Sequence, residues 1–446
     1  MSSANAKQRL DVAAALLGAV LLCACGSIRA PEKASPSLAP SPAVHPPLVA
    51  AVTTLTVAAK AVDKLEASLR ADPTQVAAYA QLGEAYLQRA RETVDPTYYT
   101  KAQMVIDEAL RRDPNNLEAL IGRGTLLLAQ HRFRDALAIG QQARRLNATI
   151  PRILGIIADA QVELGMYPES VDTIQKMVDL RPDLSSYSRV SYARELHGDL
   201  PGAIDAMQVA IEGGGPAAEN TEYLRVQLGT LYFTAGNLPE AESAYSEALI
   251  RLPGYAYALA GLARVKAARG ETDGAIELYQ RAIAAVPLPE FIIGLGEVQQ
   301  AAGRMSDAKK QYDLVRAIEQ LFRANGVRVD LELALFDADH GDDPAAAVAT
   351  ARLGYDQRPS IKGDDVLGWA LYRDGQLSEA ARYADRAVRL GTRDPMILFH
   401  AAMIANATGQ TSLARDRLSA ALDLNSGFSP LYALEAQRAL AALPTQ

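Results

Sequence analysis

The sequence predicts an all-α fold, an α-solenoid of stacked helix hairpins with a capping helix at each end. Three observations predict it. One small residue per hairpin recurs in the first helix, at Gly83, Gly124, Ala158, Ser191, Gly229, Ala263, Gly296, Ala334, Gly368 and Ala402. A second recurs in the following helix, at Ala102, Ala136, Ser170, Ala203, Ala241, Ala275, Ala308, Ala346, Ala380 and Ala414. Between them stands a turn residue, at Gly165, Gly198, Gly236, Gly270, Gly303, Gly341, Gly375 and Gly409, with His131 as the exception in the second repeat. Small side chains are needed where antiparallel helices cross, because larger ones push the backbones apart. A single hairpin cannot bury its own apolar stripe, so it must stack on neighbours.

Composition fits one long folded array. The chain has 446 residues, 49% hydrophobic and 22% charged, which is ordinary for a folded chain. Its net charge is -7 and it carries no basic run, which argues against nucleic acid as a partner because phosphate neutralisation needs clustered Lys and Arg.

One unit shows the pattern most fully: Leu228-Gly229-x2-Tyr232, then Gly236, Ala241-x3-Tyr245, Ala248 and Pro253. This spacing resembles the tetratricopeptide repeat family, whose unit is a helix-turn-helix of roughly 34 residues. The resemblance implies about ten such hairpins, wound into a right-handed superhelix. It also implies that function resides on the concave face lined by the first helices, where a protein or peptide partner binds.

Taken in order, residues 1–24 read as an export signal: Lys7 and Arg9 precede an apolar stretch from Val12 to Cys25 that is too short to span a bilayer. Leu22-Cys23-Ala24-Cys25 resembles the bacterial lipobox, which implies a tetratricopeptide lipoprotein with Cys25 lipid-modified as its first mature residue. Gly26 after the cysteine implies an outer-membrane destination on the periplasmic side. Acylation of Cys25 would leave no free thiol in the mature chain, hence no disulfide. Residues 25–54, rich in Pro, Ala and Ser, form a tether. Residues 55–75 read as an N-terminal capping helix, 76–427 as the array and 428–446 as a C-terminal capping helix. Three irregularities interrupt the array: an insertion at Thr93-Val94-Asp95-Pro96, the loop Gly213-Gly214-Gly215-Pro216, and an overlong helix from Ala308 to Asn325 stopped by Gly326. The insertion reads as a tolerated surface loop, with a cap over the groove or a contact with another part as the alternative.

No catalytic constellation is found, so the chain reads as a non-enzyme that needs no cofactor or metal. His45, His131, His197, His340 and His400 are scattered, with no two spaced to share a helix face. Those at 131, 197 and 340 lie near turns and read as solvated polar residues. The pairs Asp342-Asp343 and Asp364-Asp365 precede helical segments and read as caps. No nucleophile elbow, phosphate loop or dinucleotide fingerprint is present.

In the family's registration the concave face falls on the fifth, ninth, twelfth and thirteenth residues of each repeat. Early repeats place there Glu84, Thr125, Asp159, Glu163 and Glu195, an acidic and polar wall. Middle repeats add Tyr192, Thr230, Phe233 and Arg264. Late repeats supply Leu331, Leu335, Trp369, Tyr372, Arg373, Phe399, Met403 and Asn406, an aromatic groove of the kind that takes an extended peptide or an amphipathic helix. The alternative is that these side chains pack on each other or on the terminal cap. The carboxylate clamp of chaperone-binding relatives needs Lys and Asn at the fifth and ninth positions of one repeat, and no repeat has that pair. The expected function is a lipid-anchored periplasmic scaffold for protein segments, in pilus or secretion machinery, outer-membrane protein assembly or control of cell-wall enzymes. A component binding glycan or a small ligand through Trp369 and Tyr372 is the alternative.

Overall fold

The computed structural model describes residues 57–214, 219–328 and 330–444. The leader, Cys25 and the tether lie outside the described residues. Among the described residues there are 22 helices and no strand. None of these helices is long and apolar enough to cross a membrane.

Helix Val57–Ala71 precedes the array. Repeat 1 is Val76–Thr93 with Thr97–Arg112, repeat 2 Leu117–Ala129 with Phe133–Leu146, and repeat 3 Pro151–Glu163 with Tyr167–Leu180. Repeat 4 is Leu184–Leu196 with Leu200–Glu212, repeat 5 Glu219–Thr234 with Leu238–Arg251, and repeat 6 Ala256–Ala268 with Thr272–Ala285. Repeat 7 is Pro289–Ala301 with Met305–Ala324, and repeat 8 Asp330–His340 with Pro344–Gln357. Repeat 9 is Ile361–Arg373 with Leu377–Ala387, and repeat 10 Pro395–Ala407 with Thr411–Leu424. Helix Tyr432–Ala442 follows.

All ten first-helix small residues are buried, as are nine of the second-helix set. Their role differs along the array. A Cβ at Gly229 would meet the Tyr245 ring at 2.6 Å, so this glycine makes room for a side chain of the second helix. In repeat 9 a Cβ on Gly368 would stand 3.3 Å from Ala384 N, which is backbone approaching backbone. The exception is Ala346, which is exposed, while Ala347 next to it is fully buried. The first helix of repeat 8 runs one residue further past its small residue than its counterparts outside repeat 1, to His340; Gly341 does not take the left-handed conformation of the other turn glycines, and Asp343 accepts from Ala346 N at 3.0 Å. Register therefore slips by one.

The other turns follow the expected geometry. Gly165, Gly198, Gly236, Gly270, Gly303, Gly375 and Gly409 have φ between 71° and 78°, and His131 takes the same conformation at φ 55°. Gly326, at φ 81°, ends the 20-residue helix Met305–Ala324.

The consequence for function is how the array winds. The turn inside each of repeats 2–5 meets a loop that follows a repeat further along, so one superhelical turn rests on the edge of the next. His131 Nδ1 lies 2.7 Å from Arg328 O, and Arg328 N donates to Gln130 O at 3.2 Å. A Cβ on Gly165, Gly198 or Gly236 would come within 2.6, 2.2 and 2.2 Å of the carbonyl oxygens of Pro359, Gly391 and Leu424 respectively. Ile361 N donates to Tyr167 Oη at 2.7 Å, and Asn425 Nδ2 donates to Phe233 O at 2.7 Å. The three side-chain contacts, of His131, Tyr167 and Asn425, join residues between 192 and 197 apart. The apolar cluster around repeats 3–5 likewise takes in Ile361 and Leu424.

Candidate functional site

The inner face is closed rather than open. In the early repeats the expected acidic wall exists, but arginines engage most of its carboxylates. Asp159 receives Arg189 Nε at 2.6 Å and Nη2 at 2.5 Å, and both side chains are buried. Glu84 pairs with Arg152, which also reaches Glu118 at 3.1 Å. Glu163 is engaged by Arg358 from the second superhelical turn, and Arg358 also holds Glu332 at 2.8 Å. Burial would cost a lone guanidinium its proton affinity, yet the two carboxylates hold Arg358 above its ordinary value. Among the described residues Glu195 has no arginine partner of this kind: burial pushes it up to about 7, with Lys362 opposing the effect and Asp394 adding to it. Thr125 spends its hydroxyl on Ile121 O at 3.0 Å.

The late repeats carry the aromatic residues that the sequence places on the concave face, but not as an open groove. Trp369 is 1% exposed, and Phe399 and Leu331 are also core; Leu335, Tyr372 and Met403 are half-buried, and Arg373 and Asn406 are exposed. The expectation of Trp369 and Phe399 as an accessible ligand surface is therefore corrected, because the chain's own C-terminal segment covers them. The Tyr432 ring stacks on Phe399 at 5.1 Å and stands edge-on to Trp369 at 6.0 Å. Trp369 Nε1 donates to Asp339 Oδ1 at 2.8 Å, and Tyr432 Oη donates to the same oxygen at 2.5 Å. Phe428 packs on Phe399 at 5.9 Å. His400 stacks on Trp369 at 4.1 Å and faces Asp365 at 3.0 Å. Asp365 and its neighbours overcome the penalty of burial and raise the His400 pKa.

Other sequence readings change as well. His340 is not solvated: its side chain is 3% exposed, stacks on Tyr312 at 4.1 Å and lies 3.5 Å from Glu297. His197 turns back on Ala193 O at 2.6 Å. Asp343 does cap a helix, but Asp364 is fully buried beneath Arg386, at 2.8 Å, and Arg389. Among the described residues no group of three or more His, Cys, Asp or Glu is arranged to hold a metal.

The insertion in repeat 1 is not a free surface loop. It lengthens the first helix to 18 residues and carries Arg91 to Glu219 at 2.8 Å and over the Tyr223 ring at 5.1 Å. Val94, held at φ 51°, packs on the apolar cluster of repeats 6 and 7. The insertion thus bridges to the opposite wall. Its length was visible in the sequence, but its destination was not.

Between the inner helices of repeats 5–7 and the segment 427–430 a cavity of ≈170 Å³ remains, lined among others by Phe233, Arg264, Tyr279, Glu297, Met396 and Phe428. Arg264 stacks over Phe233 at 4.3 Å.

Stacked hairpins whose first helices wall an inner space define a repeat-solenoid scaffold suited to protein–protein interaction. The chain is a tetratricopeptide repeat protein: the family model for the tetratricopeptide repeat matches residues 97–151, 121–185, 226–288 and 366–430. Comparison with curated proteins finds no match. Among solved structures it is similar to the APC/C hetero-tetramer Cut9-Hcn1, with 17% identity and TM-score 0.38 over 86% of this chain and 67% of that one. It is similar to the human IFIT1 dimer with PPP-AAAA, with 18% identity and TM-score 0.48 over 74% and 77% of the two chains. It is also similar to YrrB, a TPR protein with an unusual peptide-binding site, with 21% identity and TM-score 0.29 over 42% and 94%.

Proposed function

We propose that this protein is a non-enzymatic scaffold that holds protein or peptide segments, exported and lipid-anchored through Cys25 on the periplasmic side of the outer membrane. Its work there is envelope assembly: pilus or secretion machinery, insertion of outer-membrane proteins, or control of cell-wall enzymes. The fold supports the scaffold part, since tetratricopeptide repeat proteins bind protein or peptide partners. Export and anchoring rest on Leu22-Cys23-Ala24-Cys25-Gly26 in the sequence.

The observation that carries the reading is the seating of Phe428 and Tyr432 on Phe399, Trp369 and Asp339. An inner face that holds two aromatic side chains of its own chain has the chemistry to hold those of a partner. Arg373 and Asn406 are exposed beside this seat. A photo-crosslinker placed at either position in living cells is expected to give discrete adducts with an envelope protein. No adduct at either site, with the protein folded and expressed, contradicts the scaffold reading. Fatty-acid labelling is expected to be lost in Cys25→Ala, and labelling that persists contradicts the anchor.

The reading as a small-ligand component, which on the sequence rested on Trp369 and Tyr372, draws support instead from the cavity at Arg264.

A further inference from the structure

Among the described residues several inner-face arginines are paired, whereas Arg264 and the exposed Arg373 are not. Arg152 meets Glu84 and Glu118, Arg189 meets Asp159, and Arg358 meets Glu163 and Glu332. Arg264 has no carboxylate within ion-pair distance and no hydrogen-bond partner among the described residues; it lies over the Phe233 ring at 4.3 Å. It is half-buried and faces a partly open pocket, where its guanidinium keeps most of its hydrogen-bonding capacity unused by the protein. Glu297 lines the same cavity but turns to His340 at 3.5 Å, and its carboxyl is pushed up by burial.

Much of the rest of the wall is apolar or aromatic: Phe233, Tyr279, Met396 and Phe428 surround the space, and Gly427 to Pro430, with the polar Ser429 among them, cover it. Its ≈170 Å³ is slightly above the roughly 150 Å³ of an engineered apolar cavity that takes up benzene. There is room for one ring and a carboxylate. There is none for a continuing peptide chain under the cover of residues 427–430.

We propose that this cavity is a binding site for a small aromatic or branched monocarboxylate, its carboxylate held by Arg264 and its apolar body against Tyr279, Met396 and Phe428. A planar guanidinium already stacked on a ring is oriented to receive a carboxylate through two parallel hydrogen bonds. The site is independent of any protein partner, because it lies between two parts of the same chain.

Calorimetric titration of the full chain with phenylacetate tests this, with benzyl alcohol as the neutral counterpart of similar shape. Phenylacetate is expected to bind, and benzyl alcohol at least about tenfold more weakly, the difference a charge-assisted hydrogen bond makes. Arg264→Gln is expected to weaken phenylacetate by about ten- to a hundredfold. Arg264→Lys, which keeps the charge, should retain part of the affinity. Circular dichroism of each variant establishes that the array is intact. No binding of phenylacetate at millimolar concentration, equal binding of benzyl alcohol, or undiminished binding by folded Arg264→Gln overturns the proposal.

Discussion

Glu319 shows what a single misplaced charge does inside this array. It is 4% exposed on the long helix of repeat 7, and its Oε2 has no hydrogen-bond partner among the described residues. Burial pushes its pKa up to about 7, Asp337 adds to the shift, and Arg323 and Arg316 oppose it without cancelling it. The folded state therefore holds a proton more tightly than the unfolded chain, where the pKa is that of a free glutamate. Stability contributed by this group is full below pH 4.5 and is lost as the pH rises through about 7. Glu319→Gln, which cannot ionise, is expected to be more stable than the native chain at pH 8 and no more stable at pH 4.5. Denaturant unfolding at both values checks this, and an equal offset at both contradicts it. Among the described residues, backbone strain at residue scale has two non-glycine sites, His131 at φ 55° and Val94 at φ 51°. Each is the kind of departure that costs on the order of 1–3 kcal/mol, and each sits where distant parts of the chain meet.

At the scale of elements, the helices and their turns were readable because each depends on residues near in sequence. A crossing needs a small side chain, a left-handed turn needs a glycine, and both recur in step, so the hairpins follow from local rules. The overlong helix ending at Gly326 was readable for the same reason. The slip at Ala346 was not, because one extra residue at the end of the first helix leaves the spacing pattern nearly unchanged. The concave positions fall on the right helices, and of the two readings the sequence leaves open for Trp369 and Phe399, packing on the terminal cap is the one the structure has. It depends on Phe428 and Tyr432, read as part of a terminal cap, lying over the inner face. The pairing of Arg91 with Glu219 and of Arg358 with Glu163 carries no sequence signal at all, since it joins residues brought together only by the summed curvature of many repeats.

For the whole molecule, that curvature is the central fact. Each stacked repeat adds a small rotation, and after nearly six of them the chain returns to meet its own edge. The inner space is then bounded by two superhelical turns, the repeat 1 insertion and the C-terminal segment, and Arg264 is left facing a partly open pocket. Partner binding at Trp369 requires the C-terminal segment to move, whereas Arg373 and Asn406 are accessible as the chain stands.

The most direct measurement compares glycine-to-alanine variants at equivalent turns. Gly165, Gly198 and Gly236 lie against carbonyl oxygens of the second superhelical turn, whereas a Cβ at Gly270, Gly375 or Gly409 meets nothing within 4 Å. All six have positive φ, so each substitution carries a backbone cost of about 1 kcal/mol. The first three must also part the two superhelical turns. Gly165→Ala, Gly198→Ala and Gly236→Ala are expected to lose about 1–3 kcal/mol more than the other three, measured as unfolding free energy under identical conditions. Equal losses across all six would contradict a solenoid closed upon itself.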